Sequence, residues 1–149
     1  MKVMIAVDDS PCSQAALDFV VKLSWPAGTA ISVVSSVSLP AGAYMATFAP
    51  ATLQLDAWLT ELTTFHEEVV ARDQGKLRAA GLVATSKVLQ GDARETLVEE
   101  ATREHADLLV VGSHGRTGLD RLVMGSVASH VMSHAPCSVL VVKRPRATA

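Results

Sequence analysis

The segment Asp107-Leu108-Leu109-Val110-Val111-Gly112-Ser113-His114-Gly115-Arg116-Thr117-Gly118 decides the fold of this chain. Its first half is a short run of leucine and valine, the composition of a strand covered on both faces, as parallel strands are. Its second half is a glycine-rich turn at the carboxyl end of that strand, where open α/β sheets hold ligands. A parallel sheet requires strands alternating with helices, and the chain supplies that alternation on both sides of the segment.

Toward the N-terminus, residues 2–8 form a first apolar run. Ser10-Pro11 then reads as an N-cap followed by proline at the first helical position. Ala15, Ala16, Phe19, Val20 and Leu23 recur at helical spacing until Trp25-Pro26-Ala27-Gly28 stops the helix. Residues 30–37 are rich in β-branched side chains and predict a second strand, joined to the first by a right-handed crossover. Residues 38–52 predict a loop of small uncharged residues, of a length usually reserved for function. A helical pattern through Leu55, Leu59, Leu62, Phe65, Val69 and Leu77 follows, ending at Gly81. Residues 82–90 predict a third strand, and Asp92 with Glu95 predicts a capping box that opens a helix over 93–105. Beyond the glycine turn come a helix over 125–134, Pro136 and a last strand over 138–142. The expectation is an α/β fold with five strands and helices on both faces of the sheet.

Composition narrows the class. The chain has 149 residues, 49% of them hydrophobic and 19% charged, with a net charge of −2. That length suits one domain over residues 1–149, able to bury about 65–70% of its unfolded surface, and the apolar content excludes disorder. A pI near 6.2 argues against nucleic-acid binding by charge neutralisation. Residues 23–55 carry no Asp, Glu, Lys or Arg, yet Pro26, Gly28, Pro40, Gly42 and Pro50 interrupt any run long enough to span a membrane. The apolar run Val3–Val7 is too short for a signal peptide, and Cys12 and Cys137 read as reduced thiols, so a cytoplasmic location is expected.

The glycine segment carries the functional signal. Gly115 and Gly118 are expected to take positive φ and let backbone N–H groups converge on an anion. Gly125-Ser126 opens a helix whose N-terminal dipole also favours phosphate, and Arg116 and Arg121 add positive charge. Neither a Gly-Lys-Ser/Thr P-loop nor a Gly-x-Gly-x-x-Gly fingerprint occurs.

On these residues the chain resembles the universal stress protein family. The likeness runs from Val3-Met-Ile-Ala-Val-Asp-Asp-Ser10 to Pro136-Cys-Ser-Val-Leu-Val-Val-Lys143. It includes the Gly-x2-Gly-x9-Gly-Ser/Thr spacing of the ATP-binding members, at Gly112, Gly115, Gly125 and Ser126. The resemblance implies a Rossmann-like sheet with strand order 3-2-1-4-5, and a homodimer formed through the last strand, residues 138–142. It also implies ATP, or ADP or AMP, as ligand, together with Mg. Asp8 matches the aspartate near the adenosine, Ser36 the backbone contact to adenine, and Gly112, Gly115, Gly125, Ser126 and Val127 the phosphate-contacting positions. Ser35-Ser36 stands where His-Val is frequent, and Asp9 where a glycine or small residue is common; a backbone contact survives both changes.

Lesser motifs compete. His130, His134 and Cys137 approach a zinc spacing, but Cys137 lies beyond Pro136, off the helical register. Cys12 lies near a helix start, which favours thiolate. Asp8 and Asp9 are candidate partners of hydrated magnesium, or Asp9 merely begins the helix. His114 is a candidate proton donor or a plain loop residue, and Glu67-Glu68 and Glu99-Glu100 read as solvated helix faces. The functional alternatives are a nucleotide-binding regulatory module of the stress response, a slow ATP hydrolase or nucleotidyl-transferring enzyme, and a nucleotide-independent dimeric partner-binding module. The phosphate motif stands without an adjacent nucleophile or general base, which favours the first.

Overall fold

Each apolar run becomes a strand of one parallel sheet: β1 Lys2–Ala6, β2 Ala30–Val37, β3 Val83–Gln90, β4 Leu108–Gly112 and β5 Ser138–Val142. The helices between them are α1 Pro11–Lys22, α2 Thr52–Ala79, α3 Ala93–Arg103 and α4 Ser126–His134. The computed structural model describes residues 1–38, 52–116 and 124–144. Most of the uncharged loop expected at 38–52, with Gly118 and Arg121 of the glycine segment, lies outside them.

The strand order is β3-β2-β1-β4-β5, as the resemblance implies. From β1 the chain steps outward through β2 to β3, then returns past β1 to β4 and steps the other way to β5. Right-handed crossovers in opposite directions place their helices on opposite faces. The core divides accordingly. Val3, Ile5, Ile31, Val33 and Val110 pack with α1 and α2 residues Leu17, Val20, Val69 and Leu77. Met4, Val34, Leu109 and Val111 pack with α3 and α4 residues Leu97, Ala101, Ala128 and Val131. Alternate residues of one strand thus serve opposite faces, which is why the runs look uniformly apolar. Full burial of a side chain such as Leu109 stabilises by about 1.5–3 kcal/mol.

The ends of the elements follow from local chemistry. Ser10 caps α1, its hydroxyl accepting the Ser13 N–H at 3.1 Å. Gly81, at φ 82°, closes α2, with the Leu82 N–H bonded to the Leu77 carbonyl at 3.0 Å. β1 ends two residues earlier than expected, although the Val7 N–H still pairs with the Val34 carbonyl at 2.8 Å. The backbone then turns at Asp9, whose φ of 64° is costly for a side chain with a Cβ and explains why a glycine or small residue suits this position. The Arg72 guanidinium lies 2.8 Å from the Asp9 carboxylate, on the protein surface.

Two expectations need correction. Asp92 caps α3, but by accepting the Arg94 N–H at 2.8 Å and pairing with the Arg94 guanidinium at 2.7 Å. Glu95 returns no bond among the described residues, so the motif is an aspartate–arginine fork and not a capping box. Glu99 is exposed, but Glu100 is buried. Glu100 receives Lys87 from β3 at 2.5 Å and Arg103 at 2.6 Å, and Lys87 also reaches Glu104. Burial alone would raise the Glu100 carboxyl, but the Arg103 and Lys87 hydrogen bonds outweigh it and hold the group below its ordinary range. Sequence periodicity gives no sign that β3 presents a lysine to this helix face.

Gly112 sits where the start of α1 presses on the end of β4. A Cβ there would lie 2.8 Å from the Cys12 carbonyl carbon and 2.9 Å from the Ser13 nitrogen. Both neighbours are backbone, so Gly112→Ala is expected to destabilise by about 1–3 kcal/mol in a denaturant titration. The Arg94 hydrogen bonds, side chain first, push the Asp92 carboxyl down to about 2. An unfolded aspartate titrates at about 3.9, so the contribution of this cap is complete above that value. It disappears as pH falls toward about 2, and carboxylate NMR titration of Asp92 reads the shift directly.

Candidate functional site

The sheet topology opens a cleft at the carboxyl ends of its central strands. β2 and β4 flank β1, and the chains leaving β1 and β4 depart to opposite faces, so a crevice forms between them. Its volume is about 690 Å³. The end of β1 and the residues after it (Ala6, Val7, Asp8), β2 (Val34, Ser35, Ser36) and β4 (Val111, Gly112) form one part of its lining. His114, Gly115, Arg116 and the start of α4 form another, with Trp58, Leu62 and His66 of α2 and Ala93 and Leu97 of α3. All eight residues singled out from the sequence line it: Asp8, Ser36, Gly112, Gly115, Arg116, Gly125, Ser126 and Val127.

Asp8 links the two diverging loops. Its Oδ1 accepts the Ser10 N–H at 3.1 Å and its Oδ2 accepts the Arg116 N–H at 3.0 Å. The Asp8 N–H in turn donates to the Ser13 hydroxyl at 3.2 Å. Gly115 owes its identity to this arrangement, because a Cβ there would stand 2.9 Å from Asp8 Oδ2. The positive φ expected of Gly115 is therefore corrected: positive-φ glycines among the described residues are Gly28, Gly81 and Gly91. Space, and not handedness, selects glycine in this turn. Gly125 obeys the same rule, with a Cβ there falling 3.1 Å from the Ser113 carbonyl oxygen. The Gly125 N–H donates to that carbonyl at 2.8 Å and closes the base of the segment.

Gly125 begins α4 without any side-chain cap, in contrast to α1 and α3. Among the described residues, the first-turn N–H groups of α4 therefore meet the cleft with no side-chain acceptor, beside the exposed Ser126 hydroxyl. Ser36 directs its hydroxyl away from the ligand space, to the Gly91 carbonyl at 2.8 Å and Thr96 Oγ1 at 3.1 Å. The Arg116 guanidinium carbon lies 5.1 Å from the Phe65 ring centroid, a cation–π contact between the glycine loop and α2.

The wall formed by α2 was missed in the sequence. Trp58, Leu62 and His66 are spaced four apart, so they share one helix face. That spacing was the available signal, but it merged with the apolar pattern of Leu55, Leu59 and Leu62. His66 Nδ1 is 2.7 Å from Ser35 Oγ. Burial lowers the imidazole pKa, the Arg116 charge lowers it further, and Asp8 opposes both.

The competing motifs lie elsewhere or do other work. The His130 and His134 rings stack in parallel with centroids 4.2 Å apart, and His134 Nδ1 is 2.9 Å from the His130 carbonyl oxygen. No cluster of metal-ligating side chains exists among the described residues. Burial raises the Cys137 thiol, keeping it protonated, and the Ser113 hydroxyl lies 3.7 Å from Cys12 Sγ. No helix among the described residues is long and apolar enough to cross a membrane.

With the geometry in view, the relationships are clear. A universal stress protein of Methanocaldococcus jannaschii is 44% identical over 66 residues, which span 44% of this chain and 39% of that relative. Universal stress protein UspA from Lactobacillus plantarum superposes with a TM-score of 0.82 at 22% identity, covering 95% of this chain and 97% of that one. A universal stress protein family member from Arabidopsis thaliana, solved with AMP bound, gives a TM-score of 0.64 at 20% identity, covering 98% and 93%. The model of the universal stress protein family matches residues 1–143, and the chain belongs to that family.

Proposed function

We propose that this chain is one adenine-nucleotide-binding domain, residues 1–149, acting as a homodimeric regulatory module of the cytoplasmic stress response. The observation that carries the reading is the uncapped start of α4, opening into a cleft at the switch point of the sheet. Uncapped N–H groups with an aligned helix dipole favour an anion. Close packing at Gly112, Gly115 and Gly125 holds this loop against Asp8 and α1, which fixes its backbone N–H groups for an anion. Ser126 adds a hydroxyl donor, and Val127 the N–H of the helix's first turn. Arg116 adds a guanidinium beside the exposed loop. Val34, Val111 and Leu97 give the remainder of the cleft an apolar lining suited to a purine ring. Asp8 and the Ser36 backbone are assigned to the nucleoside. That a relative of the same fold holds AMP supports this class of ligand.

ATP, ADP and AMP share the groups this arrangement addresses. A triphosphate would bring Mg²⁺ with most of its own waters, and among the described residues Asp8 is a carboxylate that lines the cleft beside Gly115 and Arg116. The role is regulatory and not catalytic: both Asp8 oxygens accept backbone N–H groups, which suits a loop brace better than a proton acceptor.

The dimer reading rests on the sheet edges. Both β3 and β5 are edge strands. The β3 edge carries Thr85, Ser86, Lys87 and Gln90, whereas β5 is Ser-Val-Leu-Val-Val, with its central residues half-buried. An apolar edge without a protecting charge is a pairing surface. Sedimentation equilibrium is expected to give twice the 15.7 kDa chain mass, and a monomer mass would end the dimer reading.

Calorimetry on protein stripped of nucleotide tests the ligand. Binding of AMP or ATP is expected at up to millimolar concentration, and the absence of heat at that concentration would falsify the assignment. Gly115→Val, which drives a branched side chain toward Asp8, is expected to abolish binding. Ser126→Ala is expected to weaken it by about 0.5–1.5 kcal/mol, the worth of one hydrogen bond.

A further inference from the structure

The imidazole of His66 is locked in one tautomer. Ser35 Oγ lies 2.5 Å from the Val7 carbonyl oxygen, which can only accept, so the single hydroxyl proton of Ser35 is committed there. The same oxygen lies 2.7 Å from His66 Nδ1 and can then only accept, so Nδ1 carries a proton. A neutral ring in this state leaves a lone pair on Nε2. Two charged groups bear on the ring: Arg116, from the glycine loop after β4, opposes its protonation, and Asp8, after β1, favours it. Burial acts with Arg116 and the net direction is toward the neutral form.

Nε2 has no hydrogen-bond partner among the described residues, while no buried side-chain nitrogen or oxygen there lacks one. Nε2 therefore opens into the cleft that His66 lines, although the residue as a whole is only 6% exposed. Buried polar atoms in native proteins are paired. A ring aimed by a committed serine, with its second nitrogen presented to a ligand cleft, is a recognition element. A packing role alone would be met by an apolar ring.

We infer that His66 is a specificity-determining residue of this cleft, its Nε2 accepting a hydrogen bond from an N–H or O–H donor of the bound nucleotide. Ser35 is its positioning residue. The inference rests on the nucleotide reading above and deepens it. The donor is a ribose hydroxyl or the purine amino group, which share this chemistry.

Calorimetry with AMP on the wild-type chain and on His66→Phe, which keeps the ring volume without the acceptor, tests the inference. The variant is expected to bind about tenfold more weakly, as loss of one ligand hydrogen bond in a buried site implies. Deoxy-AMP lacking the 2′- or 3′-hydroxyl and inosine monophosphate, whose amino group is a carbonyl, separate the sources. The analogue lacking the recognised donor binds the wild type more weakly than AMP does, and His66→Phe erases that difference. Equal AMP affinity in wild type and variant, or analogue preferences unchanged by the substitution, overturns this inference and leaves nucleotide binding standing. Absence of AMP binding by the wild type overturns both.

A second measurement does not depend on the folding of a variant. Imidazole nitrogen NMR of the wild type at neutral pH is expected to show the Nδ1–H tautomer, with the Nε2 resonance shifting on AMP addition. An Nε2–H tautomer, or an unmoved resonance at saturating AMP, refutes the assignment. As pH falls below the imidazole pKa, protonation removes the acceptor, and wild-type affinity is expected to drop by up to about tenfold per unit beyond any loss in His66→Gln. Parallel pH profiles in the two proteins count against it, since phosphate protonation is common to both.

Discussion

The Asp8 carboxylate, held between the backbone N–H groups of Ser10 and Arg116, is the interaction on which the cleft depends. It stands where the strand order switches from one side of β1 to the other, so the loops leaving β1 and β4 head for opposite faces. A bidentate anionic acceptor placed between them fixes their separation. Charge-assisted bonds from a carboxylate to backbone N–H are stronger than neutral ones, which suits a joint between two short loops. Neighbouring bonds reinforce it: Ser10 Oγ to the His114 carbonyl at 3.3 Å and the Ser113 N–H to the Val142 carbonyl at 2.8 Å. The crevice is thus rigid at its base, as a preformed binding site requires.

The three described glycines of the segment acquire a common physical meaning from that joint. Gly112 admits the start of α1, Gly115 admits the Asp8 carboxylate, and Gly125 admits the Ser113–His114 backbone. At Gly112 and Gly115 the approach is too close for a Cβ, and at Gly125 it is tight; their spacing records the path of the loop around Asp8. The room left by each missing Cβ is taken up by the protein's own atoms, so glycine here serves the close packing that shapes the rim of the cleft.

Sequence periodicity made the strands and helices legible because the sheet is covered on both faces and its runs are short, apolar and separated by strong stop signals such as Gly81 and Pro136. What it could not reveal lies in contacts between distant segments. Lys87 reads as a polar residue of a strand and Glu100 as one of two glutamates on a helix face, and only the packing of the sheet and α3 brings half-exposed Lys87 onto buried Glu100. His66 is similarly hidden. Its partner Ser35 is far away in sequence on β2, and a histidine beside Phe65 in a mixed helical pattern has no local mark of burial. The reason glycine stands at 115 is hidden in the same way, since its neighbour Asp8 lies in the distant loop after β1.

The distribution of charge completes the argument. Away from the cleft the ionised groups satisfy one another: Asp9, Arg72, Asp73 and Lys76 on the side of α1 and α2, and Lys87, Glu100, Arg103 and Glu104 on the side of α3. In the cleft, Asp8 and Arg116 carry opposite signs and His66 is held toward neutrality. Among the described residues, no block of like charge lines the cleft. What remains is the directed dipole of the open α4 terminus, a short-range attraction that fades within the first turn. A site built this way selects by shape and hydrogen-bond direction more than by net charge. That accords with the near-neutral composition of the chain.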